Sequence, residues 1–258
     1  MQHSELPPLD AHAHIAADVT EAQVRSVEQS VVFAMTRSTR EALYTLRPGA
    51  PSSKSLVWGL GSHPGVEQTV AQFDGDAFTR AVSRFVLIGE VGLDWRGNHA
   101  AQVAMFRRVL RAVSGQPVLL SVHSTRRCSA VLDEIERQAH GGVILHWFNG
   151  TAAEVSRAVG MGCFFSVNAA MSHASLDRLP PERILTETDF PASSTKTGAS
   201  RPGDVARIEG LLAKRHGPHV RRQVWSNLAT ICERSGAVER MPITLRGIMQ
   251  SVSDDGRT

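Results

Sequence analysis

A single acid stands inside an apolar stretch in the first half of the chain. Residues 86–94 read VLIGEVGLD, with Glu90 at the centre and Asp94 at the end. A stretch this apolar is typical of a strand buried on both faces of a parallel sheet, where a carboxylate needs a partner to stay ionised. The stretch contains no lysine or arginine. Bridging metal ions is the simplest role for Glu90; the alternative is a carboxylate just past the strand end, in water.

Histidines and one aspartate stand at the ends of other apolar runs. They are His12 and His14 in LDAHAHI, His63 in LVWGLGSHP, His123 in PVLLSVHS, His146 in GVILHWFNG and Asp189 in RILTETD. Alternate residues of a strand point to one face, so Asp10, His12 and His14 are expected to share a face. Two histidines at this spacing can reach one metal ion, although a solvated polar face is the alternative. Pro64 disfavours helix for His63, which predicts a fixed turn and either a phosphate contact or a hydrogen bond to backbone.

Eight apolar runs alternate mostly with amphipathic segments. Strands are predicted at 9–15, 31–36, 56–64, 86–94, 117–124, 142–150, 163–169 and 183–189, and helices at 20–29, 38–46, 65–84 with a break near 73–75, 99–114, 126–140, 152–161, 205–216 and 220–235. This order predicts an α/β fold, a single (β/α)8 TIM barrel with a metal site at the C-terminal rim. A doubly wound open sheet is the alternative, but no GxGxxG follows any strand.

Composition sets the wider expectations. We expect a leader at 1–8, the barrel at 9–240 and a tail at 241–258 whose last residues, 251–258, are disordered. The net charge of +3 permits a polyanionic partner without requiring one. The three cysteines show no CxxC spacing, which favours reduced thiols and a cytoplasmic protein. Neither a signal peptide nor a membrane-spanning run of about 20 apolar residues is expected.

Six motifs in chain order carry a resemblance to a known family. They are HAH at 12–14, GSHP at 61–64, GEVGLD at 89–94, the strand-end His123, HWFNG at 146–150 and ETDFP at 187–191. Together they resemble the TatD family of metal-dependent deoxyribonucleases, which belong to the amidohydrolase-like barrels, over residues 9–231. The stretches ILHWFNG, GCFFSVNAAM and ILTETDFP are more similar to the QatD branch, the TatD-type component of Qat anti-phage systems.

The resemblance implies two divalent metal ions, zinc, manganese or magnesium. His12, His14 and Asp189 would hold one ion together with Glu90. Glu90 would bridge to the second ion, held also by His123 and His146. Further implied roles are proton acceptance from the attacking water by Asp189, contact with the scissile phosphate by His63, and orientation of ligands by Asp94 and Glu187.

One position departs from the family pattern. The family has an arginine two residues after the histidine of the fifth strand, whereas this chain has Thr125 there, followed by Arg126 and Arg127. Arg126 is the expected substitute in phosphate binding. Trp95 directly follows Asp94 and Trp147 directly follows His146. Both suit stacking on a nucleobase, with packing of the barrel mouth as the alternative.

The expected function is hydrolysis of phosphodiester bonds, by a TatD-type DNase or exonuclease that acts on single-stranded DNA or 3′ ends in anti-phage defence, with other subunits of the defence system as partners. Two alternatives stay open. The same barrel hydrolyses amides and esters, including esters on tRNA, and a degenerate barrel could serve as a binding subunit. Glu90 in place of a bridging lysine favours the nuclease, and the full set of ligand types argues against a degenerate site.

Overall fold

Eight strands form one parallel sheet whose neighbours follow the order of the sequence. The structure is a computed structural model that describes residues 6–192 and 194–255. The strands are β1 (Leu9–His14), β2 (Val31–Met35), β3 (Leu56–Leu60), β4 (Leu87–Gly92), β5 (Leu119–His123), β6 (Val143–His146), β7 (Phe164–Val167) and β8 (Ile184–Thr186). Strand β1 is joined to the segment that directly follows β8, because Asp189 N donates to His12 O at 2.9 Å and His14 N donates to Phe190 O at 2.7 Å. The predicted (β/α)8 barrel is confirmed.

Helices surround the sheet and connect its strands. They are α1 (Glu21–Arg25), α2 (Thr39–Tyr44), α3 (Glu67–Ala71), α4 (Gly75–Val82), α5 (His99–Ala112), α6 (Cys128–Arg137), α7 (Ala152–Gly160), α8 (His173–Leu176), α9 (Ser194–Thr197), α10 (Ala206–His216), α11 (Val220–Ser235) and α12 (Ile243–Asp255). Short 3-10 turns span Pro181–Arg183 and Val238–Arg240.

Local sequence signals explain several helix ends. Thr20 and Gln23 form a reciprocal capping box at α1, and Thr151 and Glu154 form another at α7. The break expected inside 65–84 lies between α3 and α4, where the Asp74 side chain accepts from the backbone at the start of α4. Helix α1 is shorter than the predicted 20–29, because the chain continues as turns after Arg25.

The apolar faces of the sheet and of the helices form one large core. In α11, Trp225 is fully buried and its Nε1 donates to the carbonyl of Pro7 at 2.8 Å. Asn227 Nδ2 donates to the carbonyls of Pro181 and Ile184 at 2.8 and 2.7 Å. These bonds fix α11 against the start of β8, which gives Asn227 a structural role.

The C-terminal segment differs from the expectation. Residues 251–255 belong to α12, so the prediction that they are disordered is wrong, and 256–258 lie outside the described residues. Leu245, Met249 and Val252 are buried at a helical spacing, and this face packs against α11. The division into leader, barrel and tail stays a prediction. Among the described residues, no helix has the length and apolar character that crossing a membrane requires.

Candidate metal centre

The carboxylate of Glu90 lies at the centre of a histidine cluster at the C-terminal ends of the strands. Its Oε2 is 3.2 Å from Nε2 of His14, 3.2 Å from Nε2 of His63 and 3.7 Å from Nε2 of His12. Glu90 is 1% exposed and β4 is buried along its length. The sequence prediction of a buried acid with partners from other strands is confirmed.

The second oxygen of Glu90 faces two further histidines. Oε1 is 2.5 Å from Nδ1 of His123 and 3.5 Å from Nε2 of His146. One carboxylate therefore faces imidazoles from both sides of the barrel opening. His146 also stacks on His12, with ring centroids 3.8 Å apart.

Asp189 joins this cluster from the loop after β8. Its Oδ1 is 3.6 Å from Nε2 of His14 and 3.8 Å from Nε2 of His12. The residue has a positive φ of 51°, which is uncommon for a residue other than glycine. All six residues expected to be metal ligands thus come together, although their roles as ligands stay predictions.

Polar groups behind the histidines set their orientation. Asp94 Oδ2 is 2.7 Å from Nε2 of His123, and Arg96 donates to both oxygens of Asp94 at 2.9 Å. Ser121 Oγ is 2.7 Å from Nδ1 of His12. Histidines that bind metals usually have such a partner on the other ring nitrogen.

Glu187 contacts a ring nitrogen of His146, as Asp94 contacts a ring nitrogen of His123. Both carboxylate oxygens lie 3.2 Å from Nδ1 of His146. Ser166 Oγ and Asn168 Nδ2 donate to the same carboxylate, the amide at 2.8 Å. The contacts of Asp94 and Glu187 agree with the orienting role that the sequence suggested, whereas Ser121, Ser166 and Asn168 were not found by sequence reasoning.

Burial and neighbouring charges shift the pKa values of several residues in the cluster. Burial alone would raise the pKa of Glu90, but the neighbouring His63 and His123 hold it well below its ordinary value. Burial opposes protonation of His146, yet the charge of Glu187 raises the pKa of His146 to about 10. Burial lowers the pKa of His63 to about 4 and also lowers that of His12. At neutral pH the His63 imidazole is therefore neutral.

The cluster fits a divalent cation. His12 Nε2 and Glu90 Oε2 are buried without a hydrogen-bond partner among the described residues, and they lie 3.7 Å apart. Buried polar atoms without partners are costly, and a cation between them would satisfy both. Three groups of side chains each bring one possible ligand atom per residue within 4.8 Å of one another: His12, His14 and Glu90; His63, Glu90 and His123; and His12, His146 and Glu187. Glu90 belongs to two of these three groups.

The tautomer of His63 distinguishes it from the histidines that are expected to bind metal. Gly65 N donates to Nδ1 of His63 at 2.9 Å, so the ring proton of a neutral His63 lies on Nε2. A protonated nitrogen cannot bind a metal ion but can donate to a phosphate oxygen. This contact is the hydrogen bond to backbone that the sequence analysis gave as the alternative, so that alternative is confirmed. The phosphate role of Nε2 stays a prediction.

Asp10 lies on the same strand as His12 but points elsewhere. Its carboxylate accepts from Thr188 N at 2.9 Å, Thr188 Oγ1 at 2.7 Å, Gly203 N at 2.7 Å and His12 N at 3.3 Å. The expectation of one shared face is wrong for Asp10, because the pairing of β1 with β2 is irregular between Asp10 and Ala13. Burial raises the pKa of Asp10 to about 7.

Trp95 and Arg126 meet on the rim beside the cluster. The Cζ of Arg126 lies 4.9 Å from the centroid of the Trp95 ring, which is 48% exposed. Arg126 has a left-handed φ of 54°, which costs on the order of 1–3 kcal/mol in a residue other than glycine. An exposed cation–π contact returns about 0.5–1 kcal/mol. The contact alone does not explain the backbone conformation.

The remaining predicted contacts have mixed outcomes. Trp147 is half-buried and packs against the core, and Phe148 is buried and packs on Phe165. The core contact of Trp147 agrees with the packing alternative. On the C-terminal helices, Arg215 pairs with Asp177 and Arg221 pairs with Glu209.

Fold and site together define a TIM barrel with a histidine–carboxylate centre on its C-terminal rim. Residues 9–233 match the family model of TatD related DNase. The chain belongs to this family. This chain contains groups of histidine and glutamate side chains that are able to bind a metal ion.

Curated relatives carry the name 3′-5′ ssDNA/RNA exonuclease TatD. The protein of Klebsiella pneumoniae (strain 342) is 27% identical over 167 residues, which covers 54% of this chain and 64% of the relative. The protein of Edwardsiella piscicida is 30% identical over 119 residues, which covers 41% and 46%. The chain thus spans about half the length of the curated relatives it matches.

Solved structures share the fold. YJJV, a TatD homolog from Escherichia coli K12, superimposes with a TM-score of 0.73 at 20% identity, covering 86% of this chain and 96% of that chain. A TatD family hydrolase from Entamoeba histolytica gives 0.69 at 16% identity, covering 88% and 99%. At these identities the likeness shows the fold alone.

Proposed function

We propose that this protein hydrolyses phosphodiester bonds of single-stranded DNA in a metal-dependent reaction, releasing nucleotides from the 3′ end. The observation that carries the proposal is the position of Glu90, whose two oxygens face separate groups of histidines. Family membership supports the reaction class, and the name of the curated relatives supports the polarity and the single-stranded substrate.

Two divalent ions, zinc, manganese or magnesium, are proposed as cofactors. His12, His14 and Asp189 would hold one ion with Glu90. His123 and His146 would hold the other, with Glu90 shared between them. Bound divalent ions acidify water and neutralise negative charge on phosphate oxygens.

Protein side chains supply the remaining steps. Asp189 lies beside His14 and His12, and its carboxylate accepts the proton of the attacking water. His63 donates from Nε2 to a non-bridging phosphate oxygen, since Gly65 N occupies its Nδ1. Both groups act in a largely buried site, where interactions with developing charge are stronger than in water.

Cleavage of end-labelled single-stranded DNA tests the proposal. The purified protein is incubated with magnesium, manganese or zinc beside three variants, Glu90→Gln, Asp189→Asn and Glu28→Gln. We expect metal-dependent shortening from the 3′ end, lost in the first two variants. Glu28 is exposed on the outer surface, so Glu28→Gln should cleave like the wild type. Wild-type activity in Asp189→Asn would contradict the proton-accepting role, and shortening from the 5′ end would contradict the polarity.

We propose further that the enzyme works in the cytoplasm as part of an anti-phage system, together with other subunits of that system. The support is the similarity of ILHWFNG, GCFFSVNAAM and ILTETDFP to the QatD branch. The three cysteines form no disulfide, which agrees with a reducing compartment. Phage plating on cells with the complete system tests this role. We expect Glu90→Gln to abolish protection and Glu28→Gln to keep it. Full protection by both variants would contradict a catalytic role in defence.

A further inference from the structure

Trp95 and Arg126 form a stacked pair on the rim, called the rim pair below. Trp95 directly follows Asp94, and Arg126 stands three residues after His123. The guanidinium carbon of Arg126 is 4.9 Å from the ring centroid of Trp95, and both side chains are exposed. An aromatic face and a cation are thus presented together next to the candidate metal centre.

The loops that carry the rim pair are joined at their base. His123 and Asp94 are hydrogen bonded at 2.7 Å, and Leu93 N donates to the carbonyl of His123 at 3.0 Å. These bonds fix both loops relative to His123, which contacts Glu90. A group bound on the rim pair therefore adjoins the proposed site of cleavage.

The two neighbouring arginines differ in what they bind. Arg96 donates to both oxygens of Asp94, so its charge is already paired. Arg126 makes no ion pair with any residue in 6–192 or 194–255. Its planar guanidinium is therefore available to an anion, and its geometry suits a phosphate.

We propose that the rim pair binds one unpaired nucleotide of a single-stranded nucleic acid, with the base on Trp95 and a phosphate on Arg126. This inference rests on the proposed function and extends it to the choice of substrate. A base inside a duplex is stacked between its neighbours and cannot lie on an indole ring. The rim pair therefore selects single strands and frayed ends over intact duplex.

Fluorescence anisotropy with a labelled single-stranded oligonucleotide tests the base contact. A chelator is present, so that nothing is cleaved and binding is measured alone. Trp95→Leu should weaken binding by about 5- to 150-fold, the range expected for loss of one stacked base. With an oligonucleotide whose 3′-terminal nucleotides are abasic, wild type and Trp95→Leu should bind equally.

The chain offers a matched control for this substitution. Tyr44 is also 48% exposed and carries the guanidinium of Arg47 at 3.9 Å from its ring, but it lies on the outer helix α2. Tyr44→Leu should bind both oligonucleotides like the wild type. An equal loss in Tyr44→Leu and Trp95→Leu would overturn the proposal, because any exposed ring would then serve.

Salt dependence tests the phosphate contact. Removing one phosphate contact lowers the magnitude of the slope of log affinity against log salt by about 0.7 for a single strand. Arg126→Gln should show this change, whereas Arg126→Lys should keep the wild-type slope. An unchanged slope in Arg126→Gln would overturn the assignment of Arg126.

The outcomes separate the rim pair from the proposed reaction. Wild-type affinity in Trp95→Leu, an equal loss on the abasic strand, or no binding by the wild type would each overturn the rim pair as a subsite. If the wild type still shortens DNA with metal, the proposed function stands in those cases. Conversely, tight base-dependent binding without cleavage by any metal would keep the subsite and overturn the nuclease.

Discussion

Ser121 Oγ lies 2.7 Å from Nδ1 of His12, although the two residues are 109 positions apart in the chain. The contact occupies one ring nitrogen of His12 and leaves the other facing Glu90 and Asp189. Ser121 comes from β5 and His12 from β1, so their contact crosses the interior of the barrel.

Substitution of Ser121 should weaken metal binding without unfolding the protein. Ser121→Ala removes the group that fixes the ring orientation of His12, and such changes typically cost 10- to 100-fold in metal affinity. Competition with a chromophoric chelator measures the affinity. Ser124→Ala is the matched control, since Ser124 is also buried and, among residues 6–192 and 194–255, its hydroxyl is hydrogen bonded to Cys128 alone. Equal affinities in Ser121→Ala and the wild type would contradict the role of this contact.

Metal binding should release a proton from His146. Its pKa is raised to about 10, against the effect of burial, mainly by the charge of Glu187. A metal ion must displace that proton, so affinity should rise with pH up to this value. Glu187→Gln removes the negative charge, which lowers the pKa of His146 and reduces the number of protons released near pH 8. Calorimetric titration in buffers of different ionisation heat measures this number; an unchanged number would contradict the coupling.

Asp10 should make stability depend on pH. Burial raises the pKa of Asp10 from 3.8 to about 7, so the folded protein holds a proton that the unfolded chain lacks between these values. The stability contribution is present below pH 4 and is lost as the pH rises towards 7, by on the order of 4 kcal/mol at 1.4 kcal/mol per pKa unit. Asp10→Asn cannot ionise, so its free energy of unfolding should improve relative to the wild type across this window.

Urea unfolding of metal-free protein at several pH values measures this difference. Both proteins keep the histidine cluster, whose titration cancels in the comparison. Asp74→Asn is the control: hydrogen bonds from Ala77 and Asp76 lower the pKa of Asp74, so its contribution is lost only as the pH falls below about 4. A difference between Asp10→Asn and the wild type that stays constant from pH 4 to 7 would contradict the burial effect.

Helix α12 should contribute to the stability of the barrel. Leu245 is fully buried, and Leu245→Ala should lower the free energy of unfolding by about 2–5 kcal/mol. Ile243 begins the same helix but is 74% exposed, so Ile243→Ala should change it by no more than about 0.5 kcal/mol. Chemical denaturation measures both. If Leu245→Ala lowered the free energy of unfolding as little as Ile243→Ala, α12 would not stabilise the barrel.

The histidine–carboxylate cluster was predictable because histidines and acids are conspicuous within apolar strands. Glu90 in β4 and His146 after VIL are each a polar residue in an apolar run. In a (β/α)8 barrel the C-terminal ends of all strands lie on one rim, so these residues are expected to lie close together. Ser121 and Ser166 gave no comparable signal, because an uncharged hydroxyl in an apolar run can be buried with a single hydrogen bond. Their partners lie on other strands, and only the closed sheet brings them together.

The barrel fold could be predicted from the same apolar runs. Helices that are very short, or whose apolar residues are separated by polar ones, could not be predicted. Helix α8 has only four residues, so it shows no periodicity. In α12, Gly247 and several polar residues separate Leu245, Met249 and Val252. Helix α11 was predicted with its observed bounds because its buried face is long and ends at Gly236.

Joining β1 to the segment after β8 has a consequence for the order of folding. His12 and Asp189 are hydrogen bonded through their backbones, and both belong to the candidate metal centre. No partial chain that stops before β8 contains the complete cluster, however well its earlier strands pair. Contacts between such distant residues form slowly. Capture of metal, and with it the proposed nuclease activity, is therefore a late event that follows synthesis and closure of nearly the whole barrel.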